Sequence, residues 1–297
     1  MKFLDRLDDI ARERRVQSEK IRLHYAMERF LYRLSISSHA GKFCLKGGML
    51  MLGMGTVPAR NTLDIDLLGR LSNNPDTVAR VFRDIIRTKP GVQDGVSFSD
   101  AVHTEEITKD ALYVGVRVSF AATVCGRECP MKVDIGFSDE VYPEPGELVY
   151  PPLLDELPPA KIKCYPLESV VAEKWQAMIQ LGAGNSRMKD FYDLWFLSRE
   201  YAFKADSLRE AIFRTCARRG TSPELYTNLR DTVYRNAIQP EWSAYMRKLK
   251  ATVFNRKPPV TLPSKDFDVV MDEILDWLSP VMDGAPVRSW KPGRGWK

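Results

Sequence analysis

Seven prolines fall between Val141 and Pro166, and a ring that removes an amide donor and clashes with the preceding turn keeps helices out of such a run. The stretch reads as an extended crossover, and the sequence changes character across it. Ahead of it, ALYVGVRVSFAATV (111–124) and RECPMKVDIGF (127–137) look like two strands of a hairpin closed around CGRE. Val116, Val118 and Phe120 alternate there with Arg117 and Ser119, the two-residue period of a half-buried strand. Behind it, ESVVAEKWQAMIQLG and NSRMKDFYDLWFLSREY read as helices, and most of the chain to about residue 283 is helical. NRKPPVTLPSKD interrupts that pattern before a last amphipathic helix. The expected fold is α+β: a mixed-sheet core with an N-terminal helix over 1–145, a crossover over 146–166, and a helical domain over 167–297 that completes a cleft.

The first half adds detail. Residues 16–38 carry Ile21, Leu23, Tyr25, Phe30, Leu31 and Leu34 at spacings that suit an amphipathic helix. KFCLK follows as a short strand, then Gly47-Gly48, a Met/Leu-rich turn or helix, the loop GTVPARN, and the strand TLDIDLLG. Asp76 to Thr88 reads as another helix.

Composition narrows the function classes. No run approaches the roughly eighteen apolar residues of a membrane span, and the charged start MKFLDRLDDIARERR offers no apolar core for a signal peptide, so a cytoplasmic protein without membrane contact is expected. Five cysteines, an odd number without a CxxC pair, argue for reduced thiols. Three histidines without helical or cysteine partners argue against a histidine metal site or a Ser-His-Asp triad. A net charge of +5 permits a polyanionic partner without requiring one.

The chemistry concentrates in a few places. Asp64 and Asp66, two apart on a strand between Leu63, Ile65 and Leu67, point to one face, and their mutual repulsion is relieved by a cation or by solvent. Alone, the pattern fits two solvated aspartates on an edge strand. Asp134 sits inside a second apolar strand; if the two strands are neighbours, three carboxylates share one face, enough to hold two metal ions for phosphoryl transfer. Gly47-Gly48 at a strand-to-helix transition exposes backbone N–H groups that suit phosphate, although tight turns use such pairs as often. Lys174 lies in an apolar helical stretch, where a surface lysine beside a glutamate is the plain alternative. In RMKDFYD, Lys189 and Asp193 are i,i+4 neighbours and Arg187 and Asp190 are i,i+3. These charges are either a solvated helix face or, given Phe191, Tyr192, Leu194, Trp195 and Phe196 around them, the wall of a cleft.

FLYRLSISSHAGKFCLKGGMLML, RNTLDIDLLG, YVGVRVSFAATV, MKVDIGFSD, YPPLLD and LESVVAEKWQAMIQLGAGNSRMKDFYDLWFLS together resemble the AbiEii/AbiGii-type nucleotidyltransferase toxins of type IV toxin–antitoxin and phage-abortive systems. The resemblance is dense from about residue 20 to 200 and looser to about 280. It rests on the order KGG, R-x-T-x-D-x-D, a strand Asp, A-E-K and R-x-K-D-x-x-D. It implies a DNA polymerase β-like core with a helical domain across a cleft. Asp64, Asp66 and Asp134 would hold Mg²⁺ or Mn²⁺, and Asp134 would help to activate the attacking hydroxyl. Lys46, Gly47 and Gly48 would hold the triphosphate of an NTP, with Arg60 and Thr62 one loop away. Lys174 would neutralise phosphate charge, and Arg187, Lys189, Asp190 and Asp193 would close the site. The resemblance also implies an AbiEi-like antitoxin partner and, as in some relatives, a tRNA acceptor. Where the wider superfamily carries Gly-Ser, this chain has Gly47-Gly48, which shifts phosphate binding toward Lys46 and backbone groups.

Three rivals remain at this level, one of them a metal-dependent nuclease. A DxD-type sugar-nucleotide glycosyltransferase explains the carboxylate pair but not KGG, the third aspartate or RMKDFYD. A catalytically silent regulatory partner would not need all three carboxylates intact. The last residues, RSWKPGRGWK, interleave Arg288, Lys291, Arg294 and Lys297 with Trp290 and Trp296. They could bind phosphate and stack on bases, or form a tail that docks on its own domain. Oligomeric state is not legible.

Overall fold

A computed structural model of the chain describes residues 3–55, 62–109, 113–253 and 261–297. Helices α1 (Phe3–Arg14) and α2 (Ser18–Ile36) lead into strand β1 (Phe43–Lys46), helix α3 (Gly47–Gly53) and strand β2 (Ile65–Gly69). Helix α4 (Pro75–Arg87) begins where its sequence says it should. The Asn74 side chain accepts the Thr77 amide at 3.0 Å, and Pro75 takes the first turn, where no donor is missed. It buries Val78, Phe82 and Ile85. Phe82 stacks on Phe30 of α2 at 5.6 Å, and Phe30 meets Phe120 of the sheet at 5.4 Å, so one aromatic cluster seals both helices onto one sheet face.

The sheet continues through β3 (Val96–Phe98), β4 (His103–Lys109), β5 (Tyr113–Val124), β6 (Arg127–Gly136), β7 (Gly146–Tyr150) and β8 (Ala160–Cys164). Its order is β3-β5-β6-β2-β1-β8-β7, with β4 also paired to β5. β2 runs parallel to β6, β1 parallel to β8, and β1 antiparallel to β2, so the sheet is mixed. The β5–β6 hairpin closes at Cys125-Gly126, as its alternation indicated.

The proline-rich run differs from its sequence reading, because β7 and β8 lie inside it and both belong to the sheet. The prolines flank these strands rather than interrupt them. Ala160, Ile162 and Cys164 are buried between the exposed Lys161 and Lys163, a short two-residue period that the neighbouring prolines obscure.

The second half is helical: α5 (Leu167–Leu181), α6 (Met188–Glu200), α7 (Ala205–Arg218), α8 (Thr232–Val253) and α9 (Phe267–Met282). Trp175, Trp242, Trp277 and Phe191 form its core, each fully buried. A small antiparallel sheet joins β9 (Phe203–Lys204) to β10 (Ser289–Lys291) and β11 (Gly295–Trp296). The last residues therefore dock on their own half. Trp290 Nε1 donates to the Ser198 carbonyl at 2.7 Å, and Trp296 Nε1 donates to the Trp277 carbonyl at 2.8 Å. Arg288, Lys291, Arg294 and Lys297 stay exposed, while both indoles are half-buried. All five cysteines are free, and among the described residues no helix is long and apolar enough to cross a membrane.

Candidate active site

Strand register sets four charged residues in one row across the sheet. Lys46 of β1 lies opposite Asp66 of β2, Asp66 opposite Asp134 of β6, and Asp134 opposite Arg117 of β5. Their chain neighbours Leu45, Leu67, Ile135 and Val116 are fully buried. Because successive side chains alternate faces, the charged row occupies the face away from the aromatic cluster. Asp64 precedes β2 in a bend, half-buried, and lines the same cleft as Asp66 and Asp134. Leu63, expected from the sequence to share that strand with Ile65 and Leu67, is 58% exposed because the strand starts only at Ile65.

The two glycines are there because nothing larger fits. Gly47 has φ +67°, and a Cβ on it would come within 2.1 Å of Asp66 Oδ2. A Cβ on Gly48 would come within 2.4 Å of Thr62 Oγ1. The backbone thus presses directly against the first carboxylate strand, and Thr62 lies behind Gly48 rather than along the cleft. Arg60 lies outside the described residues.

Asp134 is not a bare carboxylate. Arg117 grips it with two hydrogen bonds, Nε to Oδ1 at 2.8 Å and Nη2 to Oδ2 at 3.1 Å, the bidentate geometry a planar guanidinium favours. The sequence reading passed over Arg117, although the hairpin carried the signal. A turn at Cys125-Gly126 counts Arg117 onto Asp134 directly.

Lys46 is also committed. Its ammonium donates to Asp139 and, at 3.2 and 3.3 Å, to both oxygens of Glu173. Burial alone would lower the Lys46 pKa, but the charges of Glu173 and Asp139 outweigh it and the ammonium is held above its ordinary value. Burial likewise opposes ionisation of Asp139, yet Lys46, Arg219 and the Tyr165 hydroxyl keep its carboxyl well below the usual range. Glu173 goes the other way: burial and the neighbouring Asp139 charge raise it despite Lys46 and Arg219. Asp139, Glu173 and Arg219 were not singled out from the sequence.

The opposite wall comes from α5 and α6. Lys174 Nζ donates to Asp190 Oδ1 at 2.8 Å and pairs with Asp193 Oδ2 at 2.7 Å. Arg187 Nε reaches Asp190 Oδ2 at 2.7 Å. The Asp190 and Asp193 side chains are 0% and 1% exposed, in a helix whose Phe191, Tyr192 and Leu194 are fully buried. Lys189 points the other way: it is exposed, lines the cleft, and among the described residues has no carboxylate partner.

Between the walls lies a cleft of about 430 Å³. It gathers Lys46, Gly47, Gly48, Asp64, Asp66 and Asp134 from the sheet side with Lys174, Arg187, Lys189 and Asp190 from the helices. Asp193 stands behind the lining. In kind, the oxygen donors of Asp64 and Asp66 suit a hard divalent cation. Among the described residues, however, no three acidic, histidine or cysteine side chains converge closely enough to hold a metal.

The cleft thus sets the carboxylates of a mixed sheet and a glycine pair against a cationic helical wall. Residues 29–273 match the family model described as nucleotidyl transferase AbiEii toxin, type IV TA system, and the chain belongs to that family. No curated protein matches significantly. Among solved structures, JHP933 from Helicobacter pylori aligns over 90% of this chain and 94% of its own at 14% identity and TM-score 0.49. A candidate nucleotidyltransferase from H. pylori aligns over 90% and 95% at 16% identity and TM-score 0.43.

Proposed function

We propose that the protein moves a nucleoside monophosphate from an NTP to an acceptor hydroxyl on tRNA, as the toxin of a toxin–antitoxin pair that serves phage defence. The acceptor oxygen forms a bond to the α-phosphorus, the bond from that phosphorus to the bridging oxygen of the β-phosphate breaks, and pyrophosphate leaves. The observation that carries the reading is the row Lys46–Asp66–Asp134–Arg117 facing a helical wall on which Lys189 alone, among the described cations of the cleft, lacks a carboxylate.

Placement supports each proposed role. The Gly47 and Gly48 amides, with no side chain to obstruct approach, receive the triphosphate, and Lys189 pairs with its outer charge. Asp64 and Asp66 would hold Mg²⁺ or Mn²⁺, which when bound neutralises phosphate charge. Asp134 stands beside them to help draw the proton from the attacking hydroxyl. Lys174, paired with Asp190 and Asp193, supports the wall that carries Arg187 and Lys189 and, lining the cleft itself, adds positive charge toward the phosphates. Nucleotidyl transfer asks the protein for in-line positioning and charge neutralisation more than covalent chemistry, and the cleft needs no histidine for it. An AbiEi-like antitoxin would be the partner that restrains this activity in a cytoplasmic setting.

Incubation with each labelled NTP, Mg²⁺ and total RNA tests the reading. Label should appear in the tRNA fraction and depend on one preferred nucleotide. Label on protein or a small molecule instead would move the acceptor, and none anywhere, with antitoxin absent, would overturn the transferase.

A further inference from the structure

One buried polar cluster in the cleft joins Lys46 to Asp139, Glu173 and Arg219, to which the reaction above gives no role. Asp139, in the loop after β6, accepts from three separate parts of the chain. These are Lys46 at the end of β1, the Tyr165 hydroxyl at 3.0 Å, and Arg219 Nη2, just after α7, at 3.3 Å. Glu173 of α5 backs it, lying 3.2 Å from Lys46 and 3.6 Å from Arg219. The Lys46, Asp139 and Arg219 side chains are only 10–11% exposed. The end of α7 grips the same loop a second time, where Arg218 Nε donates to the Ser138 carbonyl at 2.9 Å. Gly136 leaves room for the cluster: a Cβ there would come within 3.1 Å of Asp139 Oδ2 and 3.8 Å of Lys46 Nζ.

Two carboxylates on one lysine are more than phosphate binding requires. A lysine meant only to meet phosphate would stay solvated, as the exposed Lys189 does. Here the ammonium is tethered beside Asp66, and the tether reaches across to the helical half. Asp139 therefore ties together the strand end of Lys46, the strand end of Asp134 and the helix end of Arg219, all of which line the cleft, and Arg219 in turn donates to Gln176 of α5 at 2.8 Å.

Resting on the proposed transferase reading, we propose that Asp139 is a positioning residue: it fixes the Lys46 ammonium beside Asp66 and, through Arg219, holds the two walls of the cleft in register.

The first test needs no turnover. Brief acylation of the full-length protein with an amine-reactive ester, read by mass spectrometry, should leave Lys46 protected while Lys189 labels. Asp139→Asn should raise Lys46 labelling by roughly tenfold, the scale expected when a charge-assisted bond is lost. Tyr165→Phe, a milder change that removes one donor to Asp139, should raise it a few-fold and carries the test if Asp139→Asn does not fold. Equal Lys46 labelling in all three proteins overturns the tether, whatever the enzyme does. The second test is a double-mutant cycle in nucleotide transfer. Asp139→Asn should lower kcat/KM mainly through kcat, and should cost nothing further in a Lys46→Met background. Losses that multiply independently overturn action through Lys46. If the unmodified protein transfers no nucleotide, the labelling arm still decides the tether, and it is the proposed reaction that has failed.

Discussion

On the sheet wall of the cleft, Asp64 and Asp66 are half-buried and open toward the space between the walls, whereas on the helical wall Asp190 and Asp193 are sealed at 0% and 1% exposure around Lys174. The two walls carry similar residues, yet burial gives them different work. A buried ion pair is costly to break and slow to rearrange, because removing one partner leaves an uncompensated charge. A half-buried carboxylate can exchange one cation for another at small cost. The helical wall is thus a prebuilt support, and the sheet wall is where ligands can compete.

Lys174→Met probes that contrast with the largest expected effect on stability. Two sealed aspartates would lose their shared cation, at a cost of about 3–5 kcal/mol, read by urea unfolding. A cost under about 1 kcal/mol would place Lys174 with the sheet wall instead. Glu28, far from the cleft, is a control for buried charge. Burial pushes its carboxyl up to about 7 despite the Arg29 guanidinium at 2.6 Å and the Leu153 amide at 2.6 Å. The folded protein then keeps a proton that the unfolded chain releases above the ordinary value of 4.5. This contribution is full below that value and is lost as pH rises through about 7, to a total of about 3 kcal/mol at most. Glu28→Gln should flatten the slope of stability between about pH 5 and about pH 7.5, and an unchanged slope would show that Glu28 is already ionised in the fold.

Gly47→Ala sharpens the sheet side. The left-handed backbone costs an L-residue about 1–2 kcal/mol, and the new methyl must displace the Asp66 carboxylate, so activity should fall further than stability. An equal fall in both would separate Gly47 from the chemistry. Lys189→Ala should act most weakly, raising the KM for NTP roughly tenfold with little change in kcat or unfolding. An unchanged KM would remove Lys189 from phosphate binding.

Some of this was legible in the sequence, for identifiable reasons. The DxD, Asp134 and the β5–β6 hairpin announce themselves through strand alternation, and with the turn at Cys125-Gly126 the hairpin also encodes the Arg117–Asp134 pair. β7 and β8 were hidden because their alternating residues sit among seven prolines. The docking of Trp290 and Trp296 was one of two readings that composition could not separate. Asp139, Glu173 and Arg219 were out of reach for a different reason: their chemistry exists only once β1, β8, α5 and α7 meet, and local spacing does not record such meetings. For the same reason RMKDFYD read as a cleft-facing set, although only Arg187, Lys189 and Asp190 line the cleft.

The most direct measurement compares transfer of label from the preferred α-labelled NTP by the unmodified protein and by Asp66→Asn, each checked for intact folding by thermal unfolding. Asp66→Asn keeps the side-chain shape while removing the charge that sits between Lys46 and Asp134 in the row. Transfer should fall by roughly a thousandfold or more, about 4 kcal/mol of barrier, with the unfolding midpoint nearly unchanged. Transfer retained within a few-fold in a folded Asp66→Asn protein would contradict the claim that the sheet wall carries the chemistry.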